Sequence, residues 1–386
     1  MKVIHLITRM IVGGAQENTL WNCLDQRSLF GDDVILMTGP ETGSEGNLLD
    51  RHPTHGLNVV TVDAMRRSIN PLNEWKAYWE LRKAFQQLRP ELVHTHSSKA
   101  GILGRAAAKS LGIPCVHTIH GAAFHFGQSK LAYHLYQFLE ARAAGWCDRI
   151  LCVADAMRDQ YLKAGIGQPE QYTTIHSGFE TTPYLKPQID PQQTRKELGL
   201  SPEDVVIGKI ARFFPLKGHD AILKIAAPVC QAHPNVKFLL VGDGPLRGEI
   251  EQTLTRLGVR DRFVLTGLVD PAEVPRYIHA MDVVLHTSQW EGLARVLPQG
   301  LLAAKPVVSF AIDGAPEVVI PDQTGFLIPR DDYQALNQAI DQLANDAELR
   351  QRLGHEGRKR FAEKFDHAYM TRRIRDVYLE VLDQKP

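Results

Sequence analysis

Short apolar runs alternate with helical patterns from one end of the chain to the other. In the first half the runs are KVIHLIT, DDVILMTG, LNVVTVD, ELVHTHS, PCVHTIHG, DRILCVAD and YTTIHS. Their length and their Val and Ile content predict strands. Most are separated by segments with helical periodicity. Over 71–88, Leu72, Trp75, Trp79, Phe85 and Leu88 recur at helical spacing and predict one apolar, core-facing stripe. Residues 181–202, TTPYLKPQIDPQQTRKELGLSP, break the rhythm with proline and polar residues and read as a linker. Alternation resumes with DVVIGKIAR, VKFLLVGDG, RFVLTGLV, DVVLHTS, PVVSFAI and TGFLIP. Leu246, Ile250, Leu254 and Leu257 mark an amphipathic helix in this half, and Met370, Ile374, Val377 and Val381 mark the last one. Strands that alternate with helices predict mostly parallel sheets with helices on both faces. The expected architecture is α/β, with two doubly wound, Rossmann-like domains. Residues 1–180 form the first, 181–202 the linker and 203–365 the second, while a terminal helix at 366–386 is expected to pack back on the first.

Composition narrows the function classes. The chain has 386 residues, too many for one ordinary core, which supports two domains. Forty-four Lys and Arg balance forty-four Asp and Glu, so no global field recruits nucleic acid. The five cysteines, at 23, 115, 147, 152 and 230, form no CxxC pair, which predicts reduced thiols and a cytoplasmic setting. The opening MKVIHLITRMIVGGA is broken by His5 and Arg9 and reads as a buried first strand rather than a signal peptide. No stretch of 18 uncharged apolar residues predicts a membrane span.

In open parallel sheets, ligands sit beyond the carboxyl ends of the strands, so the chemistry is sought in those loops. Gly13 and Gly14 follow the first strand and open a helix; they let backbone approach an anion, or form a plain tight turn. Over 66–109, nine Lys and Arg face three Asp and Glu, an excess that suits a phosphate or an anionic membrane surface. Lys99 and Arg105 stand at a helix start there. Solvated helix faces are the plainer account of Lys76, Arg82 and Lys83. His120 ends a strand, where it can donate to a sugar hydroxyl, with Phe124 and Phe126 beyond it to stack on a ring. The histidines at 94, 96, 117, 120 and 125 lack the spacing of a zinc site and have no thiolate or carboxylate partner, so no metal is expected. Arg212 and Lys217 share one loop, as a fork and a point charge suited to a diphosphate. Glu291 precedes a helix start near residues 294–296, whose free amides at 293–295 would face an anion. Its carboxylate can accept from two vicinal hydroxyls. A diphosphate with a sugar at one end and a second polyol at the other describes a nucleotide-sugar, with no further cofactor.

These segments, GGAQ, HTHSSKAGILGR, HTIHG, ARFFPLKG, VGDGPLR, VLTGLVD and EGLARVLPQGLLAAKPVV with DGAPEVV and TGFLIP, span nearly the whole chain. In this order the sequence resembles family 4 of the retaining glycosyltransferases, and HSSKAGILGR is similar to bacterial members that build cell-surface polysaccharide on lipid carriers. The resemblance implies a GT-B fold, with the two domains facing across a cleft. It implies that Arg212 and Lys217 clamp the donor diphosphate, that the backbone at Leu293 and Ala294 binds phosphate, and that Glu291 contacts sugar hydroxyls. It places His120 near the reacting centre and Gly13 and Gly14 over the donor phosphates. Gly267, Leu268 and Val269 become the base-binding turn, and Lys99, Arg105 and Phe124 lie on the acceptor side. Gln299 stands where the family's E-x7-E motif has its second acid, which holds the donor ribose; an amide can still bind a diol, without charge. Gln16 likewise replaces a glutamate.

The implied reaction is metal-independent transfer of a hexosyl group, UDP-sugar favoured, with retention, to a glycan or lipid-linked glycan acceptor. It sets the enzyme in the cytoplasm, in peripheral contact with an anionic membrane at its inner face. Two alternatives share the scaffold: a sugar-nucleotide epimerase and a non-catalytic nucleotide-sugar binder.

Overall fold

The thirteen apolar runs form thirteen parallel strands, in two sheets. The computed structural model describes residues 1–40, 46–52, 54–68, 70–124 and 127–384. The first sheet contains β1 (Lys2–Ile7), β2 (Asp33–Thr38), β3 (Asn58–Thr61), β4 (Leu92–His96), β5 (Cys115–Ile119), β6 (Arg149–Cys152) and β7 (Tyr172–Thr174), in the order β3-β2-β1-β4-β5-β6-β7. The second contains β8 (Val205–Ile210), β9 (Val236–Val241), β10 (Phe263–Gly267), β11 (Val283–His286), β12 (Val307–Phe310) and β13 (Gly325–Ile328), in the order β10-β9-β8-β11-β12-β13. Both are doubly wound Rossmann-like sheets, as the alternation predicts. Each reverses direction beside its first strand, at β1/β4 and at β8/β11, which leaves an open crevice beyond those strand ends.

The chain divides into two compact units, Met1–Phe179 with Lys364–Pro386, and Glu180–Glu363. In the first, one face of the sheet is covered by α1 (Gly14–Phe30) and α14 (His367–Asp383). Val3, Leu92, Val116 and Leu151 pack there on Met370, Ile374, Val377 and Val381, the stripe read from the sequence. Asp366 starts α14 by accepting from the Ala368 and Tyr369 amides. On the other face lies α3 (Ser98–Ser110). Gly101 and Gly104 bring it close: a Cβ would stand 2.5 Å from the His117 ring at Gly101, and 2.5 Å from Leu6 at Gly104. Both α2 (Pro71–Leu88) and α4 (Lys130–Ala144) pack on α3, and α5 (Asp155–Lys163) follows β6.

The second unit starts at Glu180 and takes in the whole segment read as a linker. Residues 181–202 hold two short helices, α6 (Thr182–Leu185) and α7 (Pro191–Glu197). Arg195 anchors α7, with Nη2 2.7 Å from Asp282 Oδ2 and Nε donating to the Ala280 carbonyl. Proline at the first turn of each helix starts it rather than breaking it, which is why a proline-rich stretch is ordered here. Around the sheet lie α8 (His219–Ala232), α9 (Arg247–Arg256), α10 (Val274–Ala280), α11 (Val296–Leu302), α12 (Tyr333–Asn345) and α13 (Ala347–Phe361). Their core includes Ile207, Phe213, Ile222, Phe238, Leu254, Val308 and Leu336.

Of the stripe predicted over 71–88, Phe85 is buried as expected, whereas its first three members face solvent. The helix at 71–88 forms as predicted, capped by Asn70 with Pro71 at its first turn, but it buries Ala77, Leu81 and Phe85. Leu72, Trp75 and Trp79 are exposed, Trp75 at 64 %. The helix carries two apolar stripes, and the one with smaller residues fits against α3.

Candidate active site

The open end of the second sheet is built from two loops, 211–218 after β8 and 287–295 after β11. They are stitched together at three points. The Gln289 amide donates to the Leu216 carbonyl at 2.8 Å, Thr287 Oγ1 donates to the Gly218 carbonyl at 2.6 Å, and Lys217 Nζ lies 2.5 Å from Glu291 Oε1. Gly218 has φ +69°, and a Cβ there would lie 1.6 Å from the Thr287 carbonyl oxygen, so only glycine lets the loops approach this closely. The Glu291 amide donates to Asp313 Oδ2 at 2.6 Å, which fixes the acid from behind. Burial, with the negative charge of Glu291 adding to it, pushes the Asp313 carboxyl up to about 6.

Arg212 stands at the end of β8 in solvent, its guanidinium 5.0 Å above the Phe214 ring. Among the described residues it has no acidic partner. The open end of this sheet therefore presents one uncompensated cation beside an ion pair. Below it, Lys209 is buried, and among the described residues its ammonium has one hydrogen-bond partner, the Thr287 hydroxyl at 3.1 Å. Desolvation, helped by the Lys217 charge, lowers its ammonium to about 7.

α11 has Pro298 in its first turn, as its missing N–H requires. Among the described residues the amides of Leu293 and Ala294, just before it, have no hydrogen-bond partner. Gln299 is buried in the helix, at 8 % exposure. At the end of β10, Gly267 adopts φ +76° and its carbonyl accepts from the Gly242 amide at 3.1 Å. The turn leaves Leu268 72 % exposed, an apolar platform of the kind a nucleobase can lie on, and Val269 half-buried. Thus Arg212, Lys217, Glu291, Leu293, Ala294 and Gln299, with the Gly267–Val269 turn, all lie on the loops and helix start at the carboxyl ends of the second sheet.

The first unit treats its predicted residues differently. Gly13 is the N-cap of α1 and Gly14 its first residue, with no side-chain cap on the helix. Gln16 donates to the Arg9 carbonyl. His120 follows β5, with Nε2 3.1 Å from His96 Nδ1, and burial lowers it to about 4, so it is neutral at neutral pH. The three residues expected on the acceptor side have partners within their own unit. Lys99 donates to the Arg66 and Ser68 carbonyls and to Glu74 Oε1, each at 2.6 Å, which uses all three of its N–H groups. Arg105 is buried, with Nη2 2.7 Å from Glu140 Oε2 and Nε on the Gly101 carbonyl. Phe124 is buried against Tyr133 and Tyr161. The basic and aromatic residues of this stretch thus find partners inside their own unit. Phe126 lies outside the described residues, as does His125.

The structure also gathers histidines that the sequence left scattered. Nitrogens of His5, His94 and His96 lie within 4.8 Å of one another, the spacing of a metal site. All three are fully buried and already hydrogen-bonded, to one another, to Gln26, to Tyr378 and to Thr118. Sequence reading also missed Thr287 and Asp313, which hold the two loops in place, and Lys209. A lysine inside the apolar run VVIGKIA was the visible signal for Lys209; Thr287 and Asp313 carry none beyond their place in strand-end loops.

Two such domains, the second with cations, an acid and an amide gathered at its switch point, define a glycosyltransferase of the GT-B fold. Residues 13–178 match the Glycosyl transferase 4-like domain and residues 190–360 match Glycosyl transferases group 1. The chain belongs to the family-4 type of bacterial polysaccharide glycosyltransferases. It is 27 % identical over 391 residues to the UDP-Gal:alpha-D-GlcNAc-diphosphoundecaprenol alpha-1,3-galactosyltransferase of Escherichia coli, covering 100 % of this chain and 98 % of that one. It is 24 % identical to the capsular polysaccharide biosynthesis glycosyltransferase CapM of Staphylococcus aureus, over 87 % of this chain and 88 % of that one. The fold is shared with HepE of Anabaena, crystallised in complex with UDP, at a TM-score of 0.83 and 23 % identity over 98 % of this chain and 100 % of that one.

Proposed function

We propose that this glycosyltransferase moves a hexosyl group from a UDP-sugar to a hydroxyl of a polysaccharide precursor, with retention of anomeric configuration and without a metal ion. The observation that carries the reading is the exposed Arg212 beside the Lys217–Glu291 pair at the ends of β8 and β11. Before the donor arrives, Lys217 and Glu291 neutralise each other. A sugar diphosphate offers each a better partner: phosphate oxygens for Lys217 and vicinal hydroxyls for Glu291. Arg212 needs no such exchange and can take the phosphates as a bidentate fork. As the bond to the leaving group breaks, charge develops on the β-phosphate, and both cations with the Leu293 and Ala294 amides face it. The leaving phosphate oxygen can take the acceptor proton, so no protein base is assigned. Gln299 is assigned to the ribose diol and Leu268 to the base. His120 is assigned a hydrogen bond to the donor sugar.

The E. coli relative is named for a UDP-galactose donor and a diphosphoundecaprenol-linked acceptor, and HepE is described in complex with UDP-glucose as well as UDP. These support a UDP-sugar and a lipid-diphosphate-linked acceptor here. Such an acceptor sits in a membrane, and we assign the protein a peripheral place on the inner face of an anionic one, from the cytoplasmic side. Among the described residues no helix is long and apolar enough to cross a membrane. The outward stripe of α2, Leu72, Trp75 and Trp79, runs along a helix that also carries Lys76, Arg82 and Lys83. On α4, Leu131, Leu135 and Phe138 form a second exposed stripe, Leu131 at 82 %. Aromatic and aliphatic side chains beside Lys and Arg are the composition that lies in a headgroup layer.

The test is a transfer assay with a panel of UDP-hexoses and an undecaprenyl-diphosphate sugar acceptor, in EDTA, with the product anomer read by NMR. Transfer with retention in EDTA is expected. Inversion, or turnover that returns only when a divalent ion is added, would overturn the corresponding part of the proposal.

A further inference from the structure

The histidines of the first unit form a directed chain. His5 on β1 pairs in register with His94 on β4, and His96 on β4 pairs with Thr118 on β5. Side chains alternate along a strand, so His5, His94, His96 and Thr118, followed by His120, share one sheet face. That face is the one covered by α1 and α14. On it, Gln26 Nε2 of α1 lies 3.1 Å from His5 Nε2, His5 Nδ1 lies 3.0 Å from His96 Nε2, and His96 Nδ1 lies 3.1 Å from His120 Nε2. Gln26, His5 and His96 are fully buried, whereas His120 is half-buried. His94 stands aside, held by the Tyr378 hydroxyl at 2.5 Å and by Thr118 Oγ1 at 2.7 Å.

A neutral imidazole has one N–H and one lone pair, so each ring in such a row must accept at one nitrogen and donate at the other. Burial keeps the row neutral: it lowers His5 and His120 to about 4, and with the repulsion of neighbouring rings it lowers His96 well below its ordinary value. Direction is then set at the buried end. The Gln26 amide nitrogen can only donate; besides His5 it lies 2.8 Å from Asn22 Oδ1 and 3.4 Å from the Tyr378 hydroxyl, while its Oε1 has no hydrogen-bond partner among the described residues. His5 Nε2 must accept, so His5 donates from Nδ1. His96 accepts at Nε2 and donates from Nδ1. His120 accepts at Nε2, which leaves its proton on Nδ1. Among the described residues His120 Nδ1 has no partner.

We propose that Gln26, His5 and His96 are positioning residues that fix His120, beyond the carboxyl end of β5, as an Nδ1–H donor. This rests on the reading of His120 as a sugar contact, but the tautomer can be measured without it. The arrangement puts the polarity of an outward-facing donor under the control of an amide on α1. It follows the logic by which a buried partner holds a catalytic imidazole in the tautomer the chemistry needs. A metal at His5, His94 and His96 would compete, because it would take the same nitrogens that make the chain.

The whole protein, labelled with nitrogen-15 at histidine, tests this by two-bond nitrogen–proton correlation at neutral pH, with the His120 signals assigned by their loss in His120→Asn. The Nδ1–H form is expected in the wild type; the Nε2–H form or an even mixture would overturn the proposal, and so would one equivalent of zinc in the purified protein. Gln26→Leu should let the His120 signal move towards Nε2–H. It should also lower kcat by ~10-fold or more with the donor KM within about two-fold, because a wrong tautomer harms transfer rather than binding. A Gln26→Leu protein that keeps the Nδ1–H signal would contradict the direction of the chain. Should the wild type show no transfer at all, the proposed function fails while the tautomer measurement still decides this inference.

Discussion

Lys217 and Glu291 hold each other at 2.5 Å, and that contact separates their roles in a way charge alone would not. Replacing Lys217 or Arg212 with alanine should cut kcat by ~10²-fold, the scale of one lost transition-state donor. Glu291→Gln should also abolish most transfer, yet bind UDP no more weakly than the wild type, because it releases Lys217 from its partner. Steady-state kinetics together with UDP calorimetry distinguish these outcomes; a parallel loss of UDP affinity would mark Glu291 as structural. Lys209 yields a different kind of prediction. An unfolded lysine titrates near 10.4, whereas the buried ammonium titrates at about 7. Between those values the unfolded chain holds the extra proton, so this residue makes stability fall as pH falls from about 10 to 7. Lys209→Met should therefore raise the melting temperature, by more at pH 7 than at pH 10, with little further change below 7. A gain independent of pH would show that the ammonium is not desolvated. Arg212, Lys217 and Glu291 announce themselves in the sequence because a loop at a strand end admits few reasons for those residues. Asp313 and the histidine chain do not, because their meaning lies in which strands and loops become neighbours.

Elements were legible wherever one period dominated. Each strand came from an apolar run, and the last helix from a single stripe at 370, 374, 377 and 381. The helix α2 carries two stripes, and residue size misleads there: Trp75 and Trp79 are the larger, but α3 takes Ala77, Leu81 and Phe85. If the outer stripe serves a membrane, the protein should sediment with vesicles rich in phosphatidylglycerol and stay in solution with phosphatidylcholine. Trp75→Ala with Trp79→Ala should weaken the association, and added salt should weaken it further, since each cation near an anionic surface is worth ~1 kcal/mol. Equal recovery with both lipids at all salt concentrations would contradict the role given to Lys76, Arg82 and Lys83. α3 and α4 are joined by Arg105 and Glu140, each fully buried, 2.7 Å apart. Glu140→Ala strands the guanidinium and should cost ~3–5 kcal/mol in urea unfolding. Replacing both with Met and Leu should restore most of that. The sequence could not separate a buried pair from an acceptor-binding arginine, because its partner lies 35 positions away on the next helix.

At the scale of the whole molecule, the order of strands explains where the chemistry gathers. Both sheets place their first strand beside their fourth, and in the second unit that reversal opens β8 and β11 to a ligand. One detail of organisation required the structure: the proline-rich stretch at 181–202 is a folded part of the second unit rather than a tether, whereas the terminal segment joins the first unit as its sequence suggests. Tyr378 of that returning helix reaches the buried histidines, so the terminal segment helps to build the first unit's strand-end network. The account as a whole depends on where the nucleotide diphosphate binds, and a crystal structure of the protein with UDP measures that most directly. Phosphate oxygens within hydrogen-bonding distance of Arg212 and Lys217, with the ribose at Gln299 and uracil on the Leu268 turn, are the predicted result. A nucleotide bound away from the ends of β8 and β11, with Lys217 still paired to Glu291, would contradict it.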